Sequence, residues 1–118
     1  MSILLITIGA IYLVMLTLSI IYLIKPPKKI NGIYGYRTVQ STKNIENWLY
    51  SNKLASRYLI VATHLILIVS LISCRLEFLG YLSFIQSFFL VTIIIPLISF
   101  VALIWIIEMK LKKKNAKD

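Results

Sequence analysis
The chain alternates between long apolar runs and two polar interruptions of unequal length. Residues 2–24 form 23 consecutive positions without a charged side chain. At ~1.5 Å per helical residue such a run crosses a hydrocarbon core of ~30 Å. A secretory signal would place basic residues ahead of a shorter apolar core and a small-residue cleavage site behind it. Here the basic residues follow, in Lys25-Pro26-Pro27-Lys28-Lys29. That flank, with two prolines that stop a helix, predicts a retained transmembrane helix over 2–24.

The first interruption reads NGIYGYRTVQSTKNIENWLYSNKLASR over residues 31–57. Asn31, Gly32 and Gly35 predict irregular backbone to about Thr38. Beyond it the pattern turns helical. Ser41 or Thr42 is placed to cap, and Glu46 sits where a carboxylate favours a helix N-terminus. Ser41, Asn44, Trp48 and Asn52 recur at helical spacing and share one face. Such a stripe is ordinarily apolar, whereas this one is built to hydrogen-bond. No Gly or Pro follows it, so the helix is expected to run on into a second span over 58–74, and along that continuous helix Lys53, Arg57, Ile60 and His64 share another face.

Arg75-Leu76-Glu77-Phe78 makes the second, short interruption, so the second span and a third over 79–107 are expected to be antiparallel neighbours. Pro96 in the third predicts a local kink, and Gln86 near its start needs a partner or water. Trp105 near its end suits an interfacial aromatic belt. The tail, 108–118, is basic. The predicted fold is an all-α membrane protein of one domain, residues 1–118. It has three transmembrane helices, with a cytoplasmic loop and interfacial helix over 25–57 between the first two.

Composition agrees with the bilayer as solvent. The chain is 59% apolar with a mean hydropathy of +0.88, against about 45–50% apolar in soluble domains. The distribution of the +9 net charge sets an orientation. Lys25, Lys28, Lys29, Arg37, Lys43, Lys53 and Arg57 lie between spans one and two. Lys110, Lys112, Lys113, Lys114 and Lys117 lie in the tail, and only Arg75 lies between spans two and three. Three spans put the first two groups on one side. The positive-inside rule then places them in the cytoplasm and the N-terminus outside. A basic tail beside a membrane attracts anionic lipid, by about 1 kcal/mol per residue, and nucleic acid is not an expected partner.

The pattern of the polar stretch resembles the signature of the SdpI family. The matching positions are Pro27, Asn31, Gly35, Tyr36, Arg37, Thr38, Ser41, Asn44, Trp48 and Asn52. These are bacterial membrane proteins named for immunity to a secreted killing peptide. The resemblance implies a multi-pass protein of the bacterial cell membrane that protects against or senses a membrane-active peptide toxin, with signalling to a membrane partner. It departs from the family where an Ala-Asn-Arg-like sequence often follows the Trp, since this chain reads Ser51-Asn52-Lys53. Longer members carry further spans ahead of this domain, so the chain is expected to oligomerise or to work with a larger membrane protein. An accessory subunit of a transporter or sensor, or a lipid-binding membrane protein, stands as the alternative.

Each candidate residue has two readings. The Arg37 fork suits a phosphate or carboxylate, or it ties the loop to the helix. Asn31, Asn44 and Asn52 read a ligand, or they cap turns. Trp48 reads as an interfacial anchor before a ligand platform. His64 is an ionisable group within a span and so a functional candidate, or an imidazole bonded to a neighbouring helix. Cys74 reads as a small apolar filler. One Cys and one His leave no disulfide, metal site or cofactor to expect. An enzyme would need an acid, base or nucleophile with a partner. Glu46 is the one carboxylate of the polar stretch and Ser41 and Ser51 lack a nearby base, so no catalytic residue is expected.

Overall fold
The computed structural model describes residues 2–117, and they form three long helices. Helix α1 runs Ser2–Ile24, α2 runs Ile45–Phe78, and α3 runs Phe84–Asn115. Among the described residues there is no strand. All three are long and apolar enough to cross a membrane. Within their most apolar windows only 17%, 28% and 17% of residues are buried inside the protein. The remaining apolar side chains point outward, and hydrocarbon is the medium in which that arrangement is stable. The protein is therefore a multi-pass, all-α membrane protein.

Helix α2 is the middle layer. It packs along both α1 and α3, which meet each other mainly near the start of α3. Two apolar clusters hold the ends. Leu4, Ile8, Cys74 and Val91 pack beside the α2–α3 turn, so Cys74 is the filler its position suggested. Ala55, Leu103, Ile107 and Leu111 pack at the opposite end under a collar of tyrosines that includes Tyr22, Tyr36 and Tyr58.

Along its length the buried face of α2 carries Ser51, Asn52, Ala55, Ser56, Thr63, Ser70 and Ser73. Lipid tails are as apolar as leucine, so burial alone gives membrane helices no reason to associate. Small side chains that let backbones approach supply the attraction instead. Ser51, Ser56 and Thr63 bond within their own helix, Ser56 donating to Lys53 C=O at 3.0 Å and Thr63 to Leu59 C=O at 2.8 Å, whereas the buried Ser70 and Ser73 hydroxyls have no partner among the described residues.

The helix ends follow local chemistry. Asn44 caps α2, with its side chain accepting from Asn47 N–H and Glu46 in the first turn. The cap therefore falls three and two residues later than Ser41 or Thr42, because those side chains close a turn of their own. The helical segment expected ahead of the second span runs into it without a break, as the opening turns of α2. That helix continues past Cys74 to Phe78. Reversal happens over Leu79–Ser83, where Gly80 takes φ +81 and Tyr81 N–H closes on Leu76 C=O at 3.0 Å.

Helix α3 opens with a capping box. Ser83 accepts from Gln86 N–H at 3.3 Å and Gln86 Oε1 accepts from Ser83 N–H at 2.9 Å, which gives Gln86 the partner it required. Ahead of Pro96 lies a π-helical turn, Leu90–Ile94, with Ile95 N–H bonded to Leu90 C=O. Pro96 has no N–H for the carbonyl four residues back, and the wider turn redistributes the neighbouring bonds.

The small-residue face sets a measurable constraint. Thr63 is 1% exposed, so Thr63→Leu forces extra volume between α1 and α2. We expect a loss of about 1–3 kcal/mol, read as a lower unfolding midpoint in detergent. Ile72→Leu on the outward face should stay within about 0.5 kcal/mol. Equal midpoints for the two variants would show that the α1–α2 contact is not close-packed.

Candidate functional site
The polar loop, residues 25–44, folds back over the ends of all three helices, and Trp48 is its floor. The indole is fully buried, and its Nε1–H donates to Pro27 C=O at 3.0 Å. It is an internal support, not the interfacial anchor expected from an aromatic at a span end. Gly35 lies on it at φ +112. A Cβ there would stand 2.6 Å from Asn52 Oδ1, 2.7 Å from Pro27 Cγ and 3.3 Å from Trp48 Cζ2. Only glycine accepts both the backbone conformation and the approach.

Asn52, 1% exposed, reads the same segment. Its Oδ1 accepts from Tyr22 hydroxyl at 2.5 Å and from Tyr36 N–H at 2.7 Å. Its Nδ2 donates to Trp48 C=O at 2.9 Å and to Tyr36 C=O at 3.4 Å. One amide thus joins α1, the loop and α2.

The next residues reach α3. Tyr36 hydroxyl donates to Glu108 Oε1 at 2.9 Å, and Thr38 hydroxyl donates to the same oxygen at 2.6 Å. Burial, then the hydrogen bond to the Glu108 carboxylate and its charge, push the Tyr36 phenol well above the ordinary tyrosine range. It is therefore a proton donor throughout the physiological range. Ser41 is fully buried and closes the turn at residues 38–41, accepting from Thr38 N–H at 2.7 Å. Asn44 caps α2 as described above. Asn47 is also buried and donates to Gln40 C=O at 3.1 Å.

Arg37 is the exception within this run. Its side chain is exposed, with one guanidinium nitrogen donating to Gly32 C=O and the rest of its fork facing outward. Asn31 shapes the loop beneath it. Its Oδ1 accepts from Ile33 N–H at 3.0 Å and Tyr34 N–H at 2.8 Å, and its Nδ2 donates to Lys29 C=O at 3.0 Å.

The nine residues singled out in the polar stretch therefore converge on one end of the bundle. Gly35, Tyr36, Thr38, Ser41, Trp48 and Asn52 form a connected interior, Asn31 and Asn44 turn the chain, and Arg37 projects. His64 and Gln86 lie elsewhere. His64 Nδ1 is 2.8 Å from Ile60 C=O and Nε2 is 3.4 Å from Tyr12 hydroxyl, with the two rings edge to face at 5.8 Å. This geometry fits a proton on Nδ1, with Tyr12 donating across from α1.

Two participants carried no periodic signal. Tyr22 is a polar aromatic in the last turn of an apolar helix. Glu108 is a lone carboxylate immediately ahead of five lysines. Oddity of residue type in its surroundings was the available clue to each. Among the described residues no group of three metal-ligating side chains forms.

Fold and site together define a three-span membrane protein whose long loop is braced from inside against the ends of its own helices. Most of the loop, all of α2 and most of α3 carry a recognisable family pattern. The profile of the SdpI/YfhL protein family matches residues 28–107, and the chain belongs to that family. Searches of the curated proteins and of the solved structures each match nothing.

Gly35 gives the sharpest test of the brace. Gly35→Ala must displace Asn52, Pro27 or the loop itself. We expect a cost above about 2 kcal/mol, with faster proteolytic cleavage within the loop. Gly32→Ala is the control, since its Cβ would meet nothing nearer than the Arg37 guanidinium at 3.8 Å. Equal resistance of both variants to protease would remove Gly35 from the role assigned here.

Proposed function
We propose that the protein is an SdpI-type immunity or sensing factor that acts against a membrane-active peptide, with its loop end as the recognition surface. Family membership over residues 28–107 supports the class. The observation that carries the residue-level reading is the division of the signature. Most of its polar side chains are spent on each other, while Arg37 remains exposed. A planar guanidinium held at one nitrogen and free along its other edge suits a carboxylate or phosphate of a peptide or partner. The role is binding, not catalysis.

The same reading places the loop and tail in the cytoplasm of a bacterial cell and the N-terminus outside. Twelve of the thirteen Lys and Arg residues lie on the loop and tail side, and the positive-inside rule gives that side its compartment. A fluorescent protein fused at the C-terminus should light up in cells. A dark fusion with an active periplasmic reporter would reverse the orientation.

Survival of a sensitive bacterial host tests the function. Cells expressing wild type, Arg37→Ala or an empty vector at matched membrane levels would meet secreted peptide toxins. Wild type should protect, and Arg37→Ala should lose at least about tenfold of that protection, since a charge-assisted pair of this kind contributes roughly 1.5–3 kcal/mol. Full protection by Arg37→Ala would keep immunity and take Arg37 out of it. If no toxin separates wild type from vector, the immunity reading fails. An accessory role beside a larger membrane protein, seen as stoichiometric co-purification, would then replace it.

A further inference from the structure
A second feature lies where α2 meets α3. Along the seam with α3 runs an apolar groove of about 250 Å³. Ala62, Ser99 and Ala102 leave it open because their side chains are too short to fill the gap between the helices, and Leu65, Ile98 and Ile106 wall it. At its loop-side mouth stands Tyr58. The Lys110 ammonium donates to the Tyr58 hydroxyl and sits 5.0 Å from the ring centroid. Immediately beyond is a second concavity of about 350 Å³, lined by Tyr50 with Lys110, Lys113, Lys114 and Lys117. Tyr58 and Lys110 thus join a greasy slot to a cationic bowl.

We infer that this seam is a binding site for an anionic phospholipid, with an acyl chain over Ala62, Ser99 and Ala102 and the headgroup phosphate among Lys110, Lys113 and Lys117. The charge balance favours an anion. Lys114 is paired with Glu46 at 2.8 Å, and Glu108 is turned to Tyr36 and Thr38. Among the described residues no carboxylate is paired with Lys110, Lys113 or Lys117. Lys110, Lys113 and Lys114 share one face of α3 by their i, i+3, i+4 spacing, and Lys117 follows in the turn beyond the helix, its N–H bonded to Lys114 C=O at 3.1 Å.

Depth agrees as well. Ala102 and Lys110 are separated by a helical rise of ~12 Å, which carries the surface from acyl chain to headgroup level. Lysine stems lie along apolar surface while their ammonium groups reach the interface. A second copy of this chain is a poor occupant, because a symmetric contact at the seam would set two lysine clusters against each other. A cationic peptide meets the same objection. The inference is independent of the immunity reading.

Purified full-length protein, stripped of lipid in detergent, would be titrated with phosphatidylglycerol, phosphatidylcholine or glycerol 3-phosphate, with binding read by native mass spectrometry. Phosphatidylglycerol should bind at least about tenfold more tightly than phosphatidylcholine. Glycerol 3-phosphate, which has the anion without the chain, should not bind. Lys110→Gln, Lys113→Gln and Lys117→Gln together should weaken phosphatidylglycerol on the order of a hundredfold, about fivefold for each lysine. Ala102→Phe should fill the groove and abolish retention of both lipids, with elution volume and helical circular dichroism unchanged. Equal binding of the two lipids, or binding untouched by the triple substitution, would overturn the proposal. Binding of glycerol 3-phosphate as tight as the lipid would reduce the site to a free-anion cluster and overturn the acyl groove. A dimer in wild type that Ala102→Phe disperses would assign the seam to a second copy instead. Should Ala102→Phe unfold, the surface glutamine variants still decide the question.

Discussion
The structure depends on one buried side-chain amide. Asn52 accepts from Tyr22 hydroxyl and Tyr36 N–H and donates to Trp48 C=O and Tyr36 C=O. Every polar atom of the side chain is satisfied while it is 1% exposed. A buried polar group left without a partner costs about 1–3 kcal/mol. Pulling the loop off α2 would strand the amide, the Tyr22 hydroxyl and the Tyr36 peptide at once. The loop is therefore held as a unit, and Gly35 is the condition for it. Any Cβ at that position would occupy the space in which the amide and the Trp48 ring meet the backbone.

The reason the protein relies on such a device lies in its solvent. In water a helix bundle is held by burial of apolar surface. In a bilayer the apolar faces of these helices are already at home, and cohesion must come from close backbone approach and hydrogen bonds. Helix α2 meets that need in two ways along its length. Its membrane-depth portion uses small buried residues, among them Thr63, which bonds to Leu59 C=O of its own helix. Its first turns use the buried Trp48 and Asn52 to reach across to other segments. The Ser41, Asn44, Trp48, Asn52 pattern straddles that change. Ser41 precedes the helix, Asn44 caps it, and only Trp48 and Asn52 lie on it.

The spans, their antiparallel order and the shared end of loop and tail were legible in the sequence because each follows from a single strong constraint: hydrocarbon excludes charge. The convergence of Gly35 through Asn52 was legible as a motif but not as a geometry. Helical spacing showed that Trp48 and Asn52 face the same way, without showing that the loop itself would cover that face. Glu108 was out of reach for a different reason. Its bonds to Tyr36 and Thr38 cross 72 and 70 residues, and no local period encodes a contact of that range. The α2 cap was misplaced because Ser41, Thr42 and Asn44 all have capping side chains. Ser41 and Thr42 instead bond back to Thr38 C=O, which leaves Asn44 as the last free acceptor before the helix.

A connection as long as this one, with no regular secondary structure, is ordinarily either functional or disordered. Here the order is supplied internally. Tyr22 holds the loop to α1, Trp48 and Asn52 hold it to α2, and Glu108 holds it to α3, so it cannot move as a free lasso between two spans. That has an energetic consequence for recognition. Immobilising flexible segments and side chains at an interface is a cost charged against binding, and a braced loop has met most of it during folding. The exposed Arg37 is carried on this braced loop, with one guanidinium nitrogen held by Gly32 C=O. In the proposed recognition role, such a surface would discriminate by the placement of charge and acceptors on its partner. It would do so without refolding around that partner, because the interior signature residues are already held by their bonds to one another.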